Sequence, residues 1–238
     1  MFTTAVIRGE VLLWPQSFKL SAYKAVFNNK GLMDSMWFTL ILTVVYTVFS
    51  LIMTILCAYP LSYPGLKFKS PILLYILFTM YFSGGMIPGY LNIKSLGLLD
   101  TFWVLVFPTV LSTYNMILMK SFFQAMPREL EESAYLEGCN PFQIFYKIVV
   151  PLAKPSFATV AIFSFLWSYN DLFTQMFLLR LPQHRAITRL LNELTSNEGT
   201  NFGLMAASVA LVIIPILIVY IFLQKYIIKG MTAGAVKG

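Results

Sequence analysis

The sequence predicts an all-α, polytopic helical membrane protein with five spanning segments, and three observations carry that prediction. The 238-residue chain is 58% hydrophobic and only 11% charged, where soluble domains carry roughly 25% charged residues. Its mean hydropathy is +0.73. Its charges are unevenly spread: none lies between Asp34 and Lys67, Lys69 and Lys94, Asp100 and Lys120, or Glu198 and Lys225, and only Asp171 interrupts the stretch from Lys154 to Arg180. A spanning helix needs about 20 mostly apolar residues, because a hydrocarbon core ~30 Å thick is crossed at ~1.5 Å per residue.

Residues 1–33 read as an extracytoplasmic or interfacial segment, with Trp14, Phe18 and Tyr23 among Arg8, Lys19, Lys24 and Lys30. Aromatic rings with one polar edge favour the headgroup level. No continuous apolar run precedes residue 33, so the pattern is not that of a cleavable signal peptide. Residues 34–238 form the transmembrane domain. The first span is expected from about Ser35 to Pro60. The second starts near Pro71 and ends irregularly over 81–89, where Gly84, Gly85, Pro88 and Gly89 break a helix. Backbone freed at membrane depth must face protein or water, so that stretch either lines a pathway or forms an outer loop. The third span, about Thr101 to Met119, contains Pro108; the fourth runs from about Ser156 to Leu179. The fifth runs from about Phe202 to Gln224 with Pro215 inside. Lysines and arginines divide almost evenly between the two sides, so charge alone does not orient the chain.

The net charge of +7 is accounted for by basic loops flanking spans. No basic run interleaved with aromatics points to nucleic acid; membrane lipid is the expected surrounding. Cys57 and Cys139 lack the spacing of a disulfide framework or metal site and are expected as free thiols.

The loop 120–155 is polar and sharply punctuated. Pro127 suits the start of a helix, and Glu129, Glu131 and Glu132 complement its N-terminal dipole. Leu130, Ala134, Tyr135 and Leu136 form an apolar stripe. Gly138 can end the helix in the left-handed conformation. Asn140 fits an N-cap and Pro141 the first position of a second short helix. Phe142, Phe145, Tyr146 and Val149 are expected to anchor that helix on the bundle, and Pro151 and Pro155 to break it before the next span. A small residue at 134 lets a partner approach, and Glu132 offers it a carboxylate. The same residues also suit a plain amphipathic loop packed on its own bundle.

Glu132-Ser133-Ala134, Gly138, Ile148 and Pro151, in that spacing, resemble the EAA loop of bacterial ABC-importer permeases. The tail from Gln224 to Gly238, and Trp167 with Asn170, are similar to carbohydrate-uptake permeases of the maltose-transporter type. The stretches 11–15, 83–88 and 95–100 resemble the subgroup that imports oligosaccharides and polysaccharide fragments. The pattern departs at Ser133, Glu137, Cys139 and Val150, where alanine, aspartate, alanine and leucine are usual. Family members usually have six spans; five are expected here, with residue 1 falling about where the first would have ended.

The resemblance implies a type I importer permease in a bacterial plasma membrane, with loop 120–155 in the cytosol and the N-terminus outside. It implies a second homologous permease, two ATPase subunits and an extracytoplasmic solute-binding protein as partners. ATP and Mg belong to the ATPase, and no cofactor is expected in this chain. Glu132, Ser133, Ala134, Gly138, Cys139, Ile148 and Pro151 would couple to the ATPase. His184, Arg185 and Arg189, in the outer loop 181–201, would meet the binding protein.

Asp171 is the one ionisable group expected inside a span, and such groups usually face a cavity or a partner. Trp167, Asn170 and Asp171 therefore either line the translocation path for an oligosaccharide or serve packing and helix–helix hydrogen bonding. A metal or catalytic role for His184, the sole histidine, is not expected. The rival function is an ion-coupled secondary transporter, which normally shows inverted repeats or several intramembrane carboxylates. A membrane enzyme would need clustered His, Asp, Glu or Cys. The nearest approach to a phosphate loop, Gly84 to Gly89, is followed by Tyr90 where lysine is required.

Overall fold

The computed structural model describes residues 20–179, 187, 188, 191 and 202–235. A short helix α1 (Ser21–Asn28) leads into α2 (Lys30–Ser62). The Asn29 side chain caps α2 by accepting the Leu32 N–H at 3.2 Å, which is why the first span begins at Lys30 rather than near Ser35. Next come α3 (Lys69–Tyr81) and α4 (Met86–Ser95), with a 112° bend between them. The irregular stretch is thus only residues 82–85. Gly85 adopts φ +88° at the turn, and residues 86–89, expected as part of the irregular stretch, are instead the first turn of α4.

Two 3₁₀ turns (Phe102–Leu105 and Phe107–Thr109) precede α5 (Thr113–Ala125), at a bend of 52°. The third span is therefore broken and runs past Met119. Pro108 removes a ladder donor, and Ser112 starts a new helix by accepting the Asn115 N–H at 3.3 Å.

Two short helices follow, α6 (Glu129–Leu136) and α7 (Pro141–Ile144). A π turn (Phe145–Val149) then joins α7 to α8 (Val150–Asn170). Pro151 and Pro155 do not break the chain as expected, and Pro141–Asn170 is one long helical run. Pro151 falls in the first turn of α8, directly after the widened π turn, where a missing N–H and a bulky ring are accommodated. The fourth span ends at Asn170, short of Leu179, and a separate helix α9 (Phe173–Leu178) follows. Asp171 accordingly sits at a helix break, not inside a helix. The last element, α10 (Phe202–Ala235), contains Pro215. Tyr169 donates to the Val212 carbonyl at 2.9 Å, in the turn that the proline disturbs.

Among the described residues three helices are long and apolar enough to span a membrane, or five if each bent pair is one span. The packing inverts the pattern of a soluble helix. Buried positions of α2 include Ser35, Thr39, Thr43, Ser50, Thr54 and Ala58, while Trp37, Ile41, Val44, Val48, Ile52 and Leu56 are exposed. Helices in lipid associate through close packing and interhelical hydrogen bonds, which favours small residues at the seam. Helix α8 answers with buried Ala153, Ser156, Thr159, Ser164 and Ser168. These two helices lie along each other, with α5 against both and α10 against α8. Ser50 and Ser164 share a hydrogen bond at 3.1 Å, and Asn115 Nδ2 donates to Ser164 Oγ at 3.2 Å.

Candidate functional site: an exposed elbow and a polar cavity

Helices α6 and α7 form a self-capped elbow. At the end of α6 the Cys139 N–H donates to the Ala134 carbonyl and the Gly138 N–H to the Tyr135 carbonyl, both at 3.0 Å. This is the Schellman pattern, which needs a left-handed residue just beyond the cap. Gly138 supplies it at φ +85°, and a side chain there would meet nothing within 4 Å; backbone conformation, not space, is what glycine contributes. Asn140 then accepts the Gln143 N–H at 2.8 Å, while the Gln143 side chain accepts the Asn140 N–H at 3.0 Å. That reciprocal capping box starts α7. Gln143 was not anticipated, although its position three residues after Asn140 is the signal for it.

Glu132, Ser133 and Ala134 lie within α6, and Gly138 and Cys139 in the turn that follows it. Glu132, Ser133 and Gly138 are exposed and Cys139 is half-buried. Ala134 is buried within this chain, so its small size closes the elbow on itself instead of leaving room for a partner. Half-buried Ile148 and exposed Pro151 stand apart, in the π turn and the start of α8. The expected apolar stripe does not pack inward: Leu130, Tyr135 and Leu136 are exposed, the last at 88%. Phe142 and Tyr146 are exposed too, because the short α7 turns only Ile144 inward and the π turn only Val149 and, in part, Phe145. Phe145 packs on Tyr59 with ring centroids 4.9 Å apart.

Elsewhere along α2 and α8 lies a cavity of 1230 Å³ whose lining includes Tyr46, Asn115, Ser164, Trp167, Asn170 and Asp171. All three pathway candidates from the sequence reach it. Trp167 is 66% exposed. The Asn170 amide donates to the Leu166 carbonyl at 2.8 Å, and Asp171 Oδ1 accepts the Thr174 N–H at 3.1 Å, capping α9. Asp171 is the one charged residue in the described lining. His184, Arg185 and Arg189 lie outside the described residues, as do most of loop 181–201 and residues 1–19. No group of three or more His, Cys, Asp or Glu suited to a metal occurs among the described residues.

Residues 20–233 match the family described as binding-protein-dependent transport system inner membrane component. The chain belongs to that family. It is 40% identical to Protein LplC of Bacillus subtilis (strain 168) over 240 residues, covering 95% of this chain and 81% of LplC. It is 37% identical over 248 residues to the polygalacturonan/rhamnogalacturonan transport system permease protein YtcP of the same organism, covering 98% and 87%. Its fold matches the crystal structure of a bacterial ABC transporter involved in the import of the acidic polysaccharide alginate. That match has a TM-score of 0.87 and 33% identity, over 94% of this chain and 85% of the other. The resemblance to ABC permeases with carbohydrate-importing relatives is thereby borne out. The chain is a multi-pass membrane permease of the ABC-importer type, and nothing supports the secondary-transporter alternative.

In this permease the root of the elbow carries a polar cluster that the sequence did not reveal. Arg128 Nη1 pairs with Glu131 Oε1 at 3.2 Å, and its Nη2 donates to the carbonyl and hydroxyl of Ser62 at 3.3 and 3.4 Å. The guanidinium lies 4.2 Å from the Tyr63 ring centroid. The Tyr63 hydroxyl donates to Glu131 Oε2, so the hydrogen it shares with Tyr59 at 2.6 Å comes from Tyr59. Burial, and then the Glu131 carboxylate it bonds, push the Tyr63 phenol well above its ordinary value, keeping it a donor. The Arg128–Glu131 pair is legible at helical spacing, but Tyr63 lies too far away in sequence to be found.

Proposed function

We propose that this chain is a pore-forming permease subunit of an ATP-driven importer for oligosaccharides or polysaccharide fragments. It works beside a second homologous permease, two ATPase subunits that hold ATP and Mg, and an extracytoplasmic solute-binding protein. The elbow lies in the cytosol and docks on the ATPase. Its motion there switches the spans between inward- and outward-facing states, driven by differential contacts in the two ATPase states.

The observation that carries this reading is the elbow's outward face. A rigid, doubly capped unit that leaves Tyr135, Leu136, Phe142 and Tyr146 uncovered is suited to a partner and not to its own bundle. A docking elbow also needs to move as one piece, which the caps at 138–143 favour. The cavity suits a saccharide: Trp167 offers a ring to a sugar face, while Asn115, Ser164 and Asp171 offer hydroxyl partners. His184, Arg185 and Arg189 are assigned to the binding-protein contact.

The test is co-purification of the tagged chain with its ATPase and partner permease in detergent, wild type against Gly138→Asp. Aspartate at φ +85° costs about 1–2 kcal/mol in backbone strain and places a charge on the docking tip. ATPase retained by wild type and lost by Gly138→Asp supports the reading. Equal retention by both removes the elbow from the interface.

A further inference from the structure

We propose that Arg128, Glu131 and Tyr63 are positioning residues that fasten the elbow to the end of α2, so that elbow and span turn as one body. The inference rests on the coupling role given to the elbow above. It adds a route from the elbow to α2, beside the continuous run of α7 into α8.

The caps make α6 and α7 rigid, and α7 runs on through the π turn into α8, but neither feature fixes α6 against α2. Among the described residues α6 makes extensive contact with no helix other than α7. What ties it directly to α2 is the cluster at its first turn, which reaches across to residues 59–63. Four interactions converge there: the Arg128–Glu131 pair, the Arg128 fork on Ser62, the guanidinium over the Tyr63 ring, and the hydrogen-bonded run Tyr59 to Tyr63 to Glu131. Lys69 Nζ adds a fifth by donating to the Tyr63 carbonyl at 2.9 Å, holding the turn after α2 from its other side. Hydrogen bonds to charged groups, and a planar fork with several donors, are the strong and directional kind. Both the acidic and the basic member are half-buried, which limits screening by salt. A cluster of this kind suits a strut better than a docking surface, since its donors and acceptors are already paired within the chain. Because α2 also lines the 1230 Å³ cavity through Tyr46, a rotation delivered at Tyr63 is carried by one helix to the cavity wall, roughly 25 Å away for 17 residues of helical rise.

The test uses two readouts on the wild type, Arg128→Ala, Glu131→Gln and Arg128→Lys. The first is amide hydrogen exchange of the chain in nanodiscs, which needs no ATPase. Arg128→Ala is expected to raise exchange over 129–136 by about tenfold, with 141–149 unchanged, and Arg128→Lys by less. Unchanged exchange in Arg128→Ala overturns the strut whatever the ATPase does. The second is made on the full complex, with Leu111→Cys in the cavity wall of a chain whose Cys57 is alanine, the labelling of Cys139 being subtracted with the same chain lacking Leu111→Cys. A membrane-impermeant maleimide reports its accessibility with and without Mg-ATP and vanadate. The wild type is expected to change its labelling rate on nucleotide trapping; Arg128→Ala and Glu131→Gln are expected to keep their ATPase yet lose most of that change. Loosened exchange with a full nucleotide response overturns the positioning role. A wild-type chain that holds no ATPase overturns the coupling reading and the positioning role with it, while the exchange result still reports whether the strut exists.

Discussion

The elbow and the cavity are built in opposite ways. In the elbow, the stabilising hydrogen bonds at 134–143 join residues three to five apart in sequence. The cavity is assembled from α2, the 3₁₀ turn at 107–109, α5, α8 and α9, and the contacts that frame it join residues far apart, such as Tyr46 with Thr109 and Ser50 with Ser164. A locally capped unit keeps its shape when its surroundings move. A cavity whose walls belong to several helices changes shape whenever those helices shift. That division suits a transporter, in which one part must transmit motion without deforming and another must deform in response.

The comparison breaks most clearly if damage at the elbow unfolds the protein or damage at the seam leaves it stable. The largest effect is expected from Glu132→Lys. Glu132 is exposed on α6, so the charge reversal is expected to abolish sugar uptake while membrane abundance and melting temperature in detergent stay at wild-type values. A matching loss of abundance and uptake would make that position structural.

The next effect belongs to the seam. Ser50 is fully buried and hydrogen-bonded to Ser164, so Ser50→Leu forces methylenes into a close helix crossing at a cost of about 1–3 kcal/mol. A lowered melting temperature is expected with ATPase binding retained in the surviving protein. Unaltered melting would mean that the seam tolerates bulk and that the cavity walls are looser than their packing indicates.

The same division explains what could be read in advance. The helical membrane class, the elbow, its Gly138 turn and the Asn140-Pro141 start were legible because charge gaps and capping residues act over a few positions. The ends of spans were not. Asn29 and Ser112 start helices earlier or later than hydropathy suggests, and Asp171 ends up capping α9. Proline misled in one direction, because the π turn at 145–149 lets the chain continue through Pro151. The apolar stripe of α6 misled in the other: its period correctly identified a helix but not which surface covers it, and Leu130, Tyr135 and Leu136 face outward. Asp171 stood out as the one charge in an apolar run, and Trp167 with Asn170 through their resemblance to carbohydrate-uptake permeases. Their partners Asn115 and Ser164 were invisible, since small polar residues scatter through all the spans and only the fold selects those that meet.

The smallest and most discriminating effect is expected at Asp171. It has a structural duty, capping α9 through the Thr174 N–H, and a charge in a cavity whose described lining holds no basic residue. Asparagine caps a helix about as well as aspartate, so Asp171→Asn removes the charge and keeps the cap. If the cavity wall meets the sugar, a uronate oligosaccharide is repelled by Asp171 and a neutral one is not. The variant should then raise uptake of trigalacturonate relative to a neutral galacto-oligosaccharide by about fivefold, the scale of one partly screened charge at a few ångströms. Melting temperature should stay unchanged. A ratio that does not move, with total uptake intact, would confine Asp171 to its capping role and shift sugar selection to other walls of the pathway. A fall in melting temperature would instead show that the charge, and not only the cap, holds the break between α8 and α9.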